Sequence, residues 1–369
     1  MKSQQMNQHD SIVIRMLSDT VEPLVVKDKL QAVYNTPPDG KDFSFQNYTI
    51  FTFFDTGNNT DVCFFAVFFQ LYGDDCPPAN QRSVYISYID SINLMPSPNR
   101  TKVYRLIILG LIKYLKVKGF EKVFLWSCPP KQHQDYIFYM KPIAMKMPTP
   151  GRLATWYTEL LQLGKDLDII DSFCGINDAA MSENWSNFDD IPLMEGDNWV
   201  TRMVEAVTKV SSEIKKLKSE VVSLVKRLKL EKLRSGSTSY QTKKAIEMST
   251  RLEAKKKLVV DFSANLRLWE LMTVQLKGFN SQYFVIQLRP EAKFQNPEIR
   301  ANGLVSRSSW LYDRHVFVDF FWGLILEFST ERRAQYSTHV MLHRIFAENK
   351  ICVQCVQVSE GGLTVISFV

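Results

Sequence analysis

Val84-Tyr85-Ile86-Ser87-Tyr88-Ile89, a break at Pro96 and Pro98, then Arg100 to Lys118, Gly119 and Lys122-Val123-Phe124-Leu125-Trp126: this stretch decides the fold. Its first six residues are β-branched and aromatic in alternation, the pattern of a strand. From Arg100 the apolar residues Val103, Leu106, Ile107, Leu111, Tyr114 and Leu115 recur at helical spacing, and Gly119 stops the run. Lys122 to Trp126 reads as a second strand, closed by Pro129-Pro130. Strand, helix and strand joined by short links form a βαβ unit, so an α/β fold is expected in which part of the sheet is parallel.

Working towards the N-terminus, Ile12-Val13-Ile14, Leu24-Val25-Val26, Thr49 to Phe54 and Val62 to Leu71 read as strands between turn-forming residues. Towards the C-terminus, a helix is expected after Pro148 and Pro150, with Leu153, Trp156, Tyr157, Leu160 and Leu161 on one face. Asp178 to Asp190 is mostly polar and reads as loop. A long helix starts near Val200, where Val207, Val210, Ile214, Leu217, Val221, Leu224 and Leu228 alternate three and four residues apart, a heptad seam. Ser235-Gly236-Ser237 interrupts it, and Lys243 to Lys257 reads as a second helix folding back. From Gly278 the chain returns to strand at Tyr283-Phe284-Val285-Ile286, and Ser329 to Ala347 closes as a helix.

With 369 residues, 45% of them hydrophobic and 23% charged, the chain has the composition of a globular protein with a sizeable core. Met1 to Ser11 has no apolar stretch of the signal-peptide kind. The longest apolar runs are broken by Gln70 and Asp319, short of the roughly 20 residues a membrane span needs. Six scattered cysteines fit a reducing compartment, and a soluble intracellular protein is expected. The net charge of +6 is local. Residues 205–257 hold 15 Lys and Arg against 6 Asp and Glu, and the remainder is slightly acidic, so neither direct nucleic-acid binding nor a membrane is expected of the globular part.

Several residues could carry chemistry, and each has a plainer reading. Arg100-Thr101 opens a helix, where unpaired N–H groups favour a phosphate; the plainer reading is a solvated charge and a cap. Trp156-Tyr157 lies on an apolar stripe and reads as core, although a tyrosine hydroxyl in a cleft can serve as a general acid. Trp126, Ser127 and Cys128 end a strand where ligands commonly meet an open sheet. None of the five histidines forms a pattern with Cys128, so a cysteine nucleophile is disfavoured. Cys352-Val-Gln-Cys355 has metal-ligand spacing but lacks a second pair, and no metal is expected.

Taken together, the segments resemble the acetyltransferase domain of the CREB-binding-protein family. The resemblance is carried by Tyr72-Gly73-Asp74-Asp75-Cys76-Pro77-Pro78 with Val84 to Ser91; by Trp126-Ser127-Cys128-Pro129-Pro130 with Asp135-Tyr136-Ile137-Phe138; by Arg152-Leu153 with Trp156-Tyr157; and by Leu326-Glu327-Phe328-Ser329 with Arg332-Arg333-Ala334-Gln335. It implies a central mixed β-sheet wrapped by helices, acetyltransferase-like, with a long charged helical insertion. It also implies acetyl-CoA held by Ile89, Asp90, Ser91, Arg100, Thr101, Met147, Arg152 and Trp156. Tyr157 matches the family's general acid and Trp126 the residue that helps orient the substrate amine. Tyr88, Glu195 and Asp313 fall in its substrate groove. The implied reaction is direct transfer of acetyl to a lysine amine of histone tails or other lysine-rich proteins, in the nucleus and in the company of transcription regulators.

The departures concern the groove and the insertion. The loop from Asp90 to Arg100 is one residue shorter than is usual, and Tyr312 and His315 stand where the family carries acids. The expected organisation is a polar tail at 1–11, an acetyltransferase core at 12–204 and 258–350, a lysine-rich helical insertion at 205–257, and a tail at 351–369 like the start of a zinc module. The insertion reads equally as a solvated coiled hairpin or as a basic flap over an acidic groove. Against the enzyme stands a second reading, a catalytically weak paralogue that serves as a protein-binding or scaffold module through its heptad helix.

Overall fold

The computed structural model describes residues 12–26, 30, 43–55, 61–94, 100–130, 135–234, 239–261, 264–290 and 309–348. Cys352, Cys355 and the whole of the expected tail at 351–369 lie outside them, as does the middle of the Asp90–Arg100 loop.

Seven strands form one sheet: β1 (Ile12–Leu24), β2 (Phe43–Asp55), β3 (Asp61–Tyr72), β4 (Ser83–Ser91), β5 (Lys122–Trp126), β6 (Ser172–Gly175) and β7 (Tyr283–Gln287), in the order β1-β2-β3-β4-β5-β7-β6. The β4–β5 pair is parallel and the others are antiparallel, so the sheet is mixed. Between β4 and β5 runs α1 (Arg100–Val117), which is the βαβ unit expected from the sequence. Gly119, at φ 94°, takes the left-handed conformation that ends α1 at little steric cost.

The remaining helices are α2 (Pro150–Asp166), α3 (Ile176–Ser182), α4 (Asn198–Arg234), α5 (Ser239–Asp261), α6 (Ala264–Phe279), α7 (Ser309–Tyr312), α8 (Arg314–Gly323) and α9 (Glu331–Glu348). Every residue of β3 after Asp61 is buried, as happens to a strand covered on both faces. Tyr104 of α1 packs on Phe65 on one side, ring centroids 5.1 Å apart. Phe317 of α8 packs on Phe51 and Phe68 on the other, at 5.3 and 6.0 Å. α9 adds a polar tie to the same strand, its Thr338 hydroxyl accepting the Cys63 N–H at 2.9 Å.

Several expectations are corrected. β1 is one strand of 13 residues rather than two short ones; it bends at a register shift between Met16 and Ser18 and tolerates Pro23 because it is an edge strand. β2 starts at Phe43, six residues before the expected Thr49. Pro150 is the first residue of α2, where its missing N–H costs nothing, and Thr149 caps the helix by accepting the Arg152 N–H. Asp178 to Asp190 is not all loop. It contains most of α3 and a 3-10 turn at Phe188–Asp190. The start of α3 is held from outside, by an Asn280 side-chain oxygen that accepts the N–H groups of Asn177 and Asp178. Gly278 does not open a strand but lies inside α6, whose Leu268, Met272 and Leu276 form one buried face.

The chain divides into two compact units. The first holds the described residues of Met1–Val25, Asp42–Glu183 and Phe279–Val369, and so the whole sheet. The second holds those of Val26–Lys41 and Asn184–Gly278. Within the second, α4 and α5 form an antiparallel hairpin. Glu220 pairs with Lys255 at 2.6 Å and Glu231 with Lys244 at 3.1 Å, the partners stepping backwards along α5 as they advance along α4. Val210, Leu228 and Leu252 of these helices are buried.

Candidate active site

β4 and β5 pair only from Ser83 to Ile86 against Lys122 to Leu125. β4 runs on to Ser91 while β5 stops at Trp126, so the strands part beyond Ile86 at their C-terminal ends. An open α/β sheet offers a crevice at such a place. Tyr88, Ile89, Asp90 and Ser91 lie on the β4 side of the opening and Trp126 at the end of β5.

Asp90 turns inwards. Its carboxylate pairs with Lys141, accepts the N–H groups of Ile137 and Phe138 at 2.9 and 3.2 Å, and also accepts the Ser91 N–H. A buried carboxylate with these partners is an organiser of the chain, not a free charge. The family resemblance implies Asp90 among the cofactor contacts; with its side chain committed, only its main chain is left for that part. Lys141 was missed altogether, because nothing in Tyr-Met-Lys-Pro marks a lysine that goes inside.

The same segment is gripped from its other side. Arg314, first residue of α8, donates from Nε to the Tyr136 carbonyl at 2.6 Å and from a second nitrogen to the Asp135 carbonyl, with its guanidinium carbon 5.4 Å from the Tyr88 ring centroid. Tyr88 and Tyr136 meet edge to face at 5.8 Å, and the Tyr136 hydroxyl donates to the Cys128 carbonyl at 3.1 Å. A positive charge at a helix N-terminus is unfavourable by itself. Two carbonyls and an aromatic face offset that cost. Burial, followed by the neighbouring Cys128, pushes the Tyr136 phenol well above its ordinary range.

Arg100 and Thr101 open α1 as expected, and Arg100 makes no ion pair among the described residues. One turn on, the Tyr104 hydroxyl donates to the Ile92 carbonyl at 3.0 Å and ties α1 to the end of β4. Burial raises the Tyr104 phenol to about 12, with a hydrogen bond to Ser91 and the Arg100 charge acting in the opposite sense. Arg105 joins α1 to α2 by pairing with Glu159 and by lying 5.7 Å from the Trp156 ring centroid. Met147 is partly buried just before α2, and Arg152 is exposed in its first turn.

Tyr157 is buried on the inner face of α2, in edge contact with Trp156 at 5.1 Å and 6.4 Å from Phe284 of β7. Phe284 is the cross-strand partner of Leu125, so Tyr157 packs one residue along from Trp126. Its hydroxyl bonds to no described residue. Burial first, and the Asp90 charge second, push its pKa well above the usual tyrosine range, which keeps the proton on. The Trp126 indole N–H is buried and has no partner among the described residues, while the ring packs edge-on against Phe279 at 5.8 Å. An unmet buried donor beside a crevice is a common mark of a ligand position.

Of the groove residues, Tyr88 and Asp313 both belong to the unit that holds the sheet. Asp313 caps α8, its Oδ1 accepting the N–H groups of His315 and Val316. Glu195 is exposed in a turn of the second compact unit. Among the described residues no group of His, Cys, Asp and Glu could hold a metal ion, and no helix is long and apolar enough to cross a membrane.

Comparison with known proteins identifies the family and the fold. Protein cbp-1 of Caenorhabditis elegans is 32% identical over 206 residues, which cover 55% of this chain and 10% of that protein. Histone acetyltransferase HAC2 of Arabidopsis thaliana is 24% identical over 391 residues, covering 92% of this chain and 28% of that protein. This chain therefore spans less than a third of either relative. The crystal structure of Rtt109 from Aspergillus fumigatus has the same fold, with a TM-score of 0.51 at 12% identity and 92% of each chain covered. Residues 1–291 match the profile of the histone acetyltransferase domain KAT3, and the chain belongs to that family.

Proposed function

We propose that this chain is a protein-lysine acetyltransferase that moves acetyl from acetyl-CoA directly to a lysine amine, with histones as substrates and transcription regulation in the nucleus as its setting. The observation that carries the reading is a pair of unmet hydrogen-bonding groups near one opening of the sheet: the protonated Tyr157 hydroxyl and the buried Trp126 indole N–H. Membership of the family supports the donor and the substrate class.

Acetyl-CoA, when bound, supplies the acetyl group as a thioester. The residues present fit it. Arg100 and Arg152 are cations without ion-pair partners among the described residues, and Arg100 and Thr101 stand at a helix N-terminus suited to phosphate. Trp156, fixed by Arg105, offers an aromatic face. Ile89, Ser91 and the main chain of Asp90 would border the pantetheine arm, with Met147 beside it. Trp126 would orient the incoming amine, which enters neutral after losing a proton to solvent, and Tyr88 would line its approach. Tyr157 would then give its proton to the sulfur as the C–N bond forms and the C–S bond breaks, and would regain one from the acylated nitrogen. A group that holds its proton firmly donates only as a strong base develops beside it, which suits a departing thiolate.

The test is incubation of the full chain with labelled acetyl-CoA and histone tail peptides. Label on peptide lysines is the expected result. A protein that binds acetyl-CoA normally yet transfers nothing to any lysine-rich substrate contradicts the proposal.

A further inference from the structure

The heptad seam of α4, read from the sequence as a possible interaction surface, is buried or half-buried along its length, but α4 carries a second stripe. Lys215, Lys218, Val222, Lys226, Lys229 and Leu233 also follow one another three or four residues apart, so they line one face of the helix. On the helical wheel that face is centred about 115° from the seam, on one flank of it. All six residues are exposed, as is the adjoining Leu230.

Charge is sorted between the two faces. The four glutamates of α4 are all paired: Glu205 with Arg202, Glu213 with Arg267, Glu220 with Lys255 and Glu231 with Lys244. None falls on the outer stripe. The four stripe lysines, in contrast, make no ion pair among the described residues. Between and beyond them Val222, Leu230 and Leu233 are 53, 55 and 84% exposed. A face made only for nucleic-acid phosphates needs no exposed valine or leucine among its lysines. Self-association across the stripe would set lysine against lysine.

We infer that the outer face of α4 is a docking surface for an acidic amphipathic helix of a partner protein. Lys215 to Leu233 span about 27 Å at the α-helical rise, enough for some five turns of the partner. Its apolar residues would cover Val222, Leu230 and Leu233, and flanking Asp or Glu would meet the lysines. Such a surface repels the basic tails proposed as substrates, so it is a site for a different partner and stands independently of the proposed reaction.

The experiment uses the full chain and a labelled synthetic helix of about three heptads, with leucine at the two core positions of each heptad and glutamate flanking them. Fluorescence anisotropy is read for the wild type, for Lys226→Glu with Lys229→Glu, and for Val222→Ser with Leu233→Ser. Each double variant is expected to weaken binding by about tenfold or more, and so is scrambling the peptide. If circular dichroism shows one variant misfolded, the other and the scrambled peptide decide. Absence of wild-type binding overturns the inference. So does equal binding of the scrambled peptide, or tighter binding of a short DNA duplex that ignores the Val222 and Leu233 changes, which would make the face a site for polyanions.

Discussion

Asp90 and Lys141 form an ion pair in which the two side chains are 6 and 5% exposed, at the point where the end of β4 meets the segment that leads to α2. Three backbone N–H groups complete the shell of the carboxylate. One buried pair thus sets the course of the chain from Asp135 to Lys141, along the edge of the proposed site.

Removing one partner of such a pair is costly, because the other charge stays buried. Lys141→Met is expected to destabilise the protein by about 3 kcal/mol or more in urea unfolding. Asp90→Asn in the same chain should return part of that loss. A cost of less than about 1 kcal/mol for Lys141→Met would class the pair with exposed salt bridges, contrary to its burial.

Arg314 holds the same segment by its carbonyls and faces Tyr88. If Tyr88 lines the approach of the acceptor lysine, Arg314→Met should raise KM for a histone peptide by about tenfold while kcat and the acetyl-CoA affinity stay nearly unchanged. Arg314→Lys keeps the charge but loses the two-pronged geometry, so it should fall between. Steady-state kinetics with each substrate varied in turn separates these effects.

Glu327 accepts from the Ser329 hydroxyl at 2.7 Å and pairs with Arg333, and these contacts hold its carboxyl below the usual glutamate range against the opposing effect of burial. A carboxyl whose folded pKa is depressed adds stability above its unfolded pKa of about 4.3, and that stability is lost as pH falls through the folded value. Between pH 5 and 3 the wild type should therefore lose Tm faster than Glu327→Gln. Parallel slopes in thermal melts over that window would show that the pair contributes nothing.

The βαβ unit was legible because periodicity and turn residues agree across it; Lys122 to Trp126 was read to the residue. α3 was not, because Asn177 and Asp178 look like loop and the cap that makes them helical comes from Asn280, about a hundred positions away. α6 was missed although Leu268, Met272 and Leu276 carry its period, since Gly278 drew the reading towards a strand. At the site, Tyr157 on an apolar stripe could only be called core from its spacing, and the family resemblance gave it a role. Lys141 and Arg314 left no local signal. Their partners are distant in sequence, and the burial of Lys141 follows from that pairing.

The most direct test of Tyr157 as the proton donor is single-turnover acetyl transfer to a histone peptide by the wild type and by Tyr157→Phe, with acetyl-CoA binding measured on both. Phenylalanine keeps the packing on Trp156 and Phe284 and removes only the hydroxyl. With Tyr157 as the acid, the variant's rate is expected to be lower by about 10²- to 10⁴-fold, the range for loss of a general acid, with acetyl-CoA affinity within about twofold. An undiminished rate in the variant would contradict that role and take the proton donation away from Tyr157.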